Sequence, residues 1–564
     1  ELIYQVPDIE HPSVVTCDDE GNLFVGQDPM DMRGPTREPI DSVVRITWDA
    51  QGKPKKTLFC DKLAAVFGLV WKDGWLYVLH APFYSRFKDT NGDGAADVRE
   101  DLAAGFGPPA GIFGFNDHIV TGTRLGMDGL IYISVGDKGV PKATGSDGST
   151  LTLEGGGVIR MRPDGSQLEI FSSGTRNHLD VAMNSLDDIF TYDNTDDGLG
   201  WWTRFTHHIP TGYYGYPYDY HPHRDRHLPR ISEHGGGSPV GAACYREAAW
   251  PTKYRDVAFM CDWGKRKVQV FFPKKSGATY TAEMEDFMVP EEGSQFNPQD
   301  VCFSPDGRDM YVADWNFGGW VNPQLAGRLY RVRYVGGEGL EKVAAEPARH
   351  QNDEPLAAQI ESLAHPAHSE RMRAQEAIIK LGQPAVADLA RLIADKNAVP
   401  SAKIHAIWAQ NGLMDGVKDF DPTASWTAAL LGDASPDVRA QAARAIGYRK
   451  LKSGKTALVN ALRDADPTVR LWSAVGLGRL GDAGAAGALF AALTEQDEFA
   501  RFAMIQALRT IGAWDGATAH LNSPDEAVRT ATRLALTEQY SDGAVAALAD
   551  AAKNAPNAAE KAAA

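Results

Sequence analysis

The chain has 564 residues, with 57 Lys and Arg against 74 Asp and Glu, a formal charge of −17 and a sequence pI near 5.4. This balance gives no electrostatic footprint for nucleic acid or an anionic membrane surface. No apolar run approaches the length of a membrane span, and the length is too great for one core. Neutral sugars or small molecules are the expected partners. Five cysteines (Cys17, Cys60, Cys244, Cys261 and Cys302) form no CxxC or CxxCH spacing, so neither a zinc ribbon nor covalent haem is encoded. Most sit within alternating apolar runs, which favours buried free thiols, and an odd count leaves one unpaired in a monomer.

In chain order, one strand–turn–strand phrase recurs six times before residue 334. The copies start at Ser13 (SVVTCDDEGNLFVGQD), Gly68 (GLVWKDGWLYVLHA), Ile119 (IVTGTRLGMDGLIYISVGD), Leu179 (LDVAMNSLDDIFTYDN), Gly241 (GAACYREAAWPTKYRDVAFMCDW) and Asp300 (DVCFSPDGRDMYVADW). Each alternates apolar and polar residues around a Gly or Asp turn, the signature of a β-hairpin. Third strands follow at Val43, Gly157, Val268 and Arg328. Turns recur every roughly 50 to 70 residues, which suits one four-stranded blade plus an insertion. The spacing predicts a six-bladed β-propeller over residues 1–334.

A propeller brings the start of each blade's first strand and the end of its second to one mouth. The first-strand starts are His11, Asn116, Asp117, His118, Arg176, Asn177, His178, Ser238, Asn297 and Gln299. The second-strand ends are Asp28, His80, Asp137, Asp193, Asn194, Asp262 with Trp263 after it, and Asp314. Single Asp and Asn residues at such positions cap turns. The convergence of two histidines with an Arg–Asn pair points beyond capping, to a catalytic or binding site.

Between the second and third copies lies DTNGDGAADVRE, with oxygen donors at Asp89, Asn91, Asp93, Asp97 and Glu100, Gly94 at the turn and the Ala95 carbonyl available. These are the ligand positions of a twelve-residue calcium loop. The flanks are not helical, so a structural Ca²⁺ is expected rather than a sensor. A His-rich insertion after the fourth copy holds His207, His208, His221, His223 and His227. His221 and His223 on an extended segment suit a transition metal if a third ligand is near.

From 335 to 355 the chain becomes a charged, Gly-containing linker, and from Leu356 it is Ala- and Leu-rich with helical spacing. Phrases around Arg373, Ser401, Ser435, Asp466, Glu498 and Pro524 recur at roughly 30-residue intervals, predicting a HEAT-type α-solenoid over 356–553 and a disordered tail over 554–564. Such a stack is a surface for a protein partner and carries no chemistry of its own. The start at Glu1 and the calcium loop together suggest a processed export signal and a periplasmic or secreted protein.

DHIVTGTRLGMDGLIYISVGD from Asp117 resembles the Asp-His segment of soluble quinoprotein sugar dehydrogenases, and GTRNHLDVAMN from Gly174 resembles their Arg-Asn motif. TGYYGYP from Thr211 is similar to their calcium-ligating segment and WGKRKVQVFF from Trp263 to their cofactor-contacting strand. The union with helical repeats resembles dehydrogenase proteins of Planctomycetes and Verrucomicrobia. The resemblance implies oxidation of a sugar or polyol hydroxyl with pyrroloquinoline quinone (PQQ) and Ca²⁺. His118 would be general base and Asp117 its partner; Arg176 and Asn177 would hold the quinone oxygen. Lys265 would meet a quinone carboxylate, and the Gly215 and Pro217 carbonyls would hold calcium. His11, His178, Asp262 and Trp263 would line the substrate side. Where that family has an Arg-x-Arg pair, this chain has Asn297-Pro298-Gln299. Two other readings of the mouth stay open: a metal-dependent carbohydrate lyase, dehydratase or hydrolase, and a non-catalytic glycan- or protein-binding propeller with the solenoid as scaffold.

Overall fold

A computed structural model describes residues 1–29, 38–107, 118–196, 201–315, 327–344, 352–555 and 558–563. The six hairpin phrases form six sheets around a channel, antiparallel except where Gly212–Tyr213 pairs parallel with Glu169–Thr175, and each is opened by the phrase's first strand. These innermost strands are Pro12–Cys17, Val66–Lys72, Val120–Leu125, Ala182–Met183, Pro239–Tyr245 and Pro298–Phe303. Position within the blade decides burial: the second strands Ile131–Val135 and Val257–Asp262 are buried on both faces because neighbouring blades pack on each. The ring closes non-covalently, since Leu2–Gln5 pairs antiparallel with Arg328–Arg333 and completes the sixth blade.

Five inner strands carry a register shift near their mouth end, for example between Pro12 and Val14 and between Pro298 and Asp300. A bulge bends a strand and increases its twist, which turns these ends across the channel. Polar groups then bond between blades: Val15 N donates to Asp300 Oδ2 at 2.8 Å, and Arg124 bridges Asp180 and the Ala242 carbonyl. Gly122 permits one crossing. Its φ is +44°, and a Cβ there would meet the Leu179 carbonyl at 2.4 Å.

Strands Val140–Thr144 and Thr150–Leu153 form a hairpin that adds to the edge of the second blade. Helices run from Leu356 onward, and the tail expected to be disordered contains the helix Ala558–Ala563. Asp466, Asp497 and Asp525 cap helices whose first turns begin at the repeat's Asp-Pro or acidic signal. Arg439 bonds Asp464 and Arg470 bonds Glu495, the same Arg-to-acid link in successive repeats. No helix among the described residues is long and apolar enough to cross a membrane.

The solenoid packs on the propeller end opposite the mouth, where the first and second strands of each blade turn. Gln375 donates to the Met127 carbonyl, Gln441 to that of Leu186, and Ser369 to Glu247 and Pro305. Arg444 lies between the rings of Trp408 and Trp472 and reaches Asp128 at 2.8 Å. Among the described residues these contacts leave the mouth clear.

Candidate active site at the propeller mouth

His118 precedes the third blade's inner strand, and Asp137 follows its second strand. They meet because Gly136 has no side chain: a Cβ there would sit 2.5 Å from the His118 carbonyl carbon. Lys138 N then bonds the His118 carbonyl at 3.1 Å. His118 itself has φ of +61°, a left-handed conformation that His tolerates better than bulkier residues. The result is an Nδ1 to Asp137 Oδ1 bond of 2.5 Å.

The other oxygen of Asp137 faces Arg176 Nε at 3.7 Å and the Tyr216 hydroxyl at 3.4 Å. Arg176 is anchored by Asn194, whose Oδ1 accepts from Nη1 at 2.7 Å while its Nδ2 donates to the Gly237 carbonyl. Burial raises the Asp137 carboxyl, but the His118 bond and the charges of His118 and Arg176 outweigh it and hold it below the usual value. Burial raises the Tyr216 phenol, and Asp137 and Asp196 raise it further. Beneath them, burial pushes Asp193 up to about 6 against the pull of Arg204.

A carboxylate on Nδ1 fixes the tautomer that carries its proton there and places the basic lone pair on Nε2. His118, Asp137 and Arg176 are each partly open to solvent, with 19%, 23% and 14% of the side chain exposed. The cluster is therefore a base, an orienting carboxylate and a guanidinium within reach of a ligand.

Several sequence expectations land elsewhere. Asp117 and Asn116 lie outside the described residues, and the observed partner of His118 is Asp137. Asn177 is buried and bridges to Asn194 through backbone. His178 is wholly buried, bonded to Ser134 at 2.6 Å and Thr175 at 2.9 Å, and burial lowers it to about 3, so it is a neutral core residue. His11 is buried edge-on against Trp315.

Lys265 is committed to Asp262 at 3.0 Å, Tyr192 and Thr203; burial lowers its pKa, partly offset by Asp262. Asn297 spends its amide on the Trp263 carbonyl at 2.8 Å, Gln299 is buried, and Trp263 donates to the Trp315 carbonyl. The Gly215 carbonyl accepts from Asp219 N; Pro217 follows Tyr216 in the same turn.

Among the described residues no group of three or more His, Cys, Asp or Glu side chains is placed to hold a metal. Among the described residues His221 and His223 are not joined by a third such side chain. In the Asp89–Glu100 loop, Asp89 accepts from Gly92 and Gly94, Asn91 from Asp93 N, and Asp93 from Ala95 N, while Asp97 holds Thr90 and Glu100 holds Arg86. What sequence reasoning missed was the pairing. Asp137, Asn194 and Tyr216 carry ordinary turn-residue signals, and only their position at second-strand ends or in the Tyr-Gly segment marks them.

A domain of unknown function, DUF7133, matches residues 1–318. The chain belongs to the DUF7133 family. HEAT repeats match residues 423–509, beyond the DUF7133 part. No curated protein matches the chain. Among solved structures it is similar to the holo pyranose dehydrogenase PQQ domain from Coprinopsis cinerea, 12% identical with a TM-score of 0.36, over 58% of this chain and 94% of that one. It is similar to the calcium structure of a Trichoderma reesei carbohydrate-active enzyme of family AA12, 12% identical with a TM-score of 0.39, over 58% and 94%. A gluconolactonase from Xanthomonas campestris is 13% identical with a TM-score of 0.29, over 59% and 99%. At such identities and scores these neighbours say nothing of the chemistry of a DUF7133 mouth.

Proposed function

We propose that the propeller mouth is an active site for a carbohydrate or similar polyhydroxy compound, with His118 as general base. One observation carries the reading: the His118 Nδ1 to Asp137 Oδ1 bond of 2.5 Å in a pair that remains open to solvent. Nε2 takes a proton from a substrate hydroxyl or a water, and Asp137 orients the ring and stabilises the imidazolium. Arg176, held by Asn194, faces the oxygen that becomes negative. A positioned base of this kind contributes about 10²- to 10⁴-fold. Exposed aromatic faces at Trp201 and Tyr218, 56% and 66% open, offer stacking surfaces for the apolar face of a sugar ring.

In the redox form implied by the family resemblance, a bound quinone with calcium would accept hydride. The described residues do not fit that anion well. Lys265 is already matched by Asp262 and Arg176 by Asp137, while Asn297 and Gln299 supply neutral amides in place of cations. We also propose that the Asp89–Glu100 loop, whose carboxylates are not gathered around a metal position in this structure, rearranges to take up a structural Ca²⁺; added Ca²⁺ is expected to raise the melting midpoint, and Asp89→Ala to abolish that rise.

The test is a panel of sugars, sugar lactones and sugar esters, run with and without PQQ and Ca²⁺, on the full chain and on His118→Gln. Turnover that disappears in the variant while melting is unchanged supports the proposal. Saturable quinone binding with His118-dependent dye reduction would restore the redox form. Sugar binding indifferent to His118 and without turnover would leave a non-catalytic binding propeller.

A further inference from the structure

At the covered end of the channel lies a cavity of about 1030 Å³, walled by the lower ends of the blades' inner strands and by the helix His368–Leu381. Two thiols in its wall face one another. Cys17 ends the inner strand of the first blade, Cys302 lies in that of the sixth, and their sulfurs are 3.7 Å apart across 285 residues of sequence. Both are partly exposed, whereas Cys244, in the same wall, and Cys261 are buried. The pair sits at the seam of the ring. There closure otherwise depends on Leu2–Gln5 pairing with Arg328–Arg333 and on the bond from Val15 N to Asp300.

We propose that Cys17 and Cys302 form an oxidant-dependent disulfide that locks this seam. A disulfide needs sulfurs about 2 Å apart and neighbouring backbones, and the two chains already lie on adjacent inner strands that exchange the Val15–Asp300 bond. The reaction is thiol exchange with a low-molecular-weight disulfide. One Cys thiolate attacks it, releases one small thiol and becomes a mixed disulfide. The other Cys sulfur then displaces the second small thiol. Two cysteine thiols are oxidised, one small disulfide is reduced, and the two protons leave with the two small thiols. The bond to Cys302, burial, and the charges of Cys302, Asp18 and Asp306 push the Cys17 thiol well above its ordinary value, which slows exchange at that sulfur.

The full chain is treated with oxidised glutathione, unfolded, alkylated, digested and weighed. The expected result is one linked peptide joining Cys17 to Cys302, with Cys60, Cys244 and Cys261 still alkylated. The melting midpoint rises by a few degrees and falls back on adding dithiothreitol. In Cys17→Ser, and separately in Cys302→Ala, the rise disappears and the remaining partner keeps a stable glutathione adduct. Free alkylation of both cysteines after oxidation, a cross-link to another thiol, or a lasting adduct on the unsubstituted chain overturns the proposal. A cross-link without any melting shift overturns the lock.

Discussion

At the covered end of the propeller, Asp128 and Asp187 receive Arg444 from the solenoid, and the three side chains keep 1%, 0% and 3% of their surface. At the mouth, Asp137 receives His118 and Arg176 from the propeller itself, and 14% to 23% of each side chain stays open. Both ends gather carboxylates and cations from the neighbouring third and fourth blades, as the topology requires. Convergence of polar groups is thus a property of the fold rather than evidence of a site. What separates the ends is who completes the charges: the protein at one, and solvent or a ligand at the other. A charge completed by protein acts as glue, and one left for a ligand can do chemistry.

The largest effect should abolish the difference by dissolving both ends. Six histidines are buried and held neutral by desolvation: His80 and His178 at about 3, His207 at about 4, and His208, His368 and His405 well below the ordinary value. Below the unfolded value of 6.5 the unfolded chain takes up protons that the folded chain refuses. Stability is therefore complete above that pH and lost as pH falls from 6.5 toward the folded values. His368 and His405 lie in the helices of the covered end, so docking and fold are expected to fail together. Melting midpoints measured from pH 7.5 to 4 should fall steeply; a level profile would refute the neutral assignments.

The next effect is confined to the mouth. His118→Gln should cut turnover by about 10²- to 10⁴-fold and cost only about 1 kcal/mol of stability, the typical effect of a single substitution. Urea unfolding alongside steady-state rates separates the two quantities. A large loss of stability would move His118 to the structural class that the covered end exemplifies.

Much of this was legible in the sequence because period-two alternation around Gly and Asp turns is a local signal, and six copies leave few alternatives. The helical repeats were legible for the same reason, through Asp-Pro starts and helical spacing. Docking was not, because the Arg444–Asp128 bond joins residues 316 apart and neither has an unusual neighbourhood in the chain. At the site, His118 and Arg176 were found as first-strand starts. The sequence sets Asp117 beside His118, and Asp117 lies outside the described residues; the pairing of His118 with Asp137, allowed by the absent side chain of Gly136, has no local signal in the chain. His178 was misjudged for a different reason: two hydroxyls, from Ser134 and Thr175, make a histidine comfortable in the interior, and no spacing rule reveals them.

At the covered end, Arg444→Met keeps the packing between Trp408 and Trp472 but removes the nearest cation from two buried carboxylates, leaving Asp128 the Arg160 guanidinium at 4.0 Å. The expected cost is about 3–5 kcal/mol, since an uncompensated buried charge is left behind. Mouth chemistry in the folded fraction should be unchanged, which circular dichroism melts and initial rates together would show. A cost near zero would mean that Asp128 or Asp187 simply takes up a proton. Burial and the neighbouring Asp128 already push Asp187 up to about 7, so that outcome would show as a cost that grows with pH.

The smallest effect tests whether depth, rather than mere contact between the two domains, sets the energy. Arg479 also crosses from solenoid to propeller, bonding both oxygens of Glu169 at 3.1 and 3.2 Å. Its side chain is 23% exposed and that of Glu169 34%, and Glu169 keeps Arg160 as a second partner. Arg479→Gln should therefore cost only about 0–1 kcal/mol, less at high salt. If it costs as much as Arg444→Met, contact alone is enough, and exposure would no longer distinguish the glue of one end from the chemistry of the other. If the two differ as expected, the partial exposure of His118, Asp137 and Arg176 carries the same meaning at the mouth: their charges are only loosely bound into the protein and remain available to a ligand.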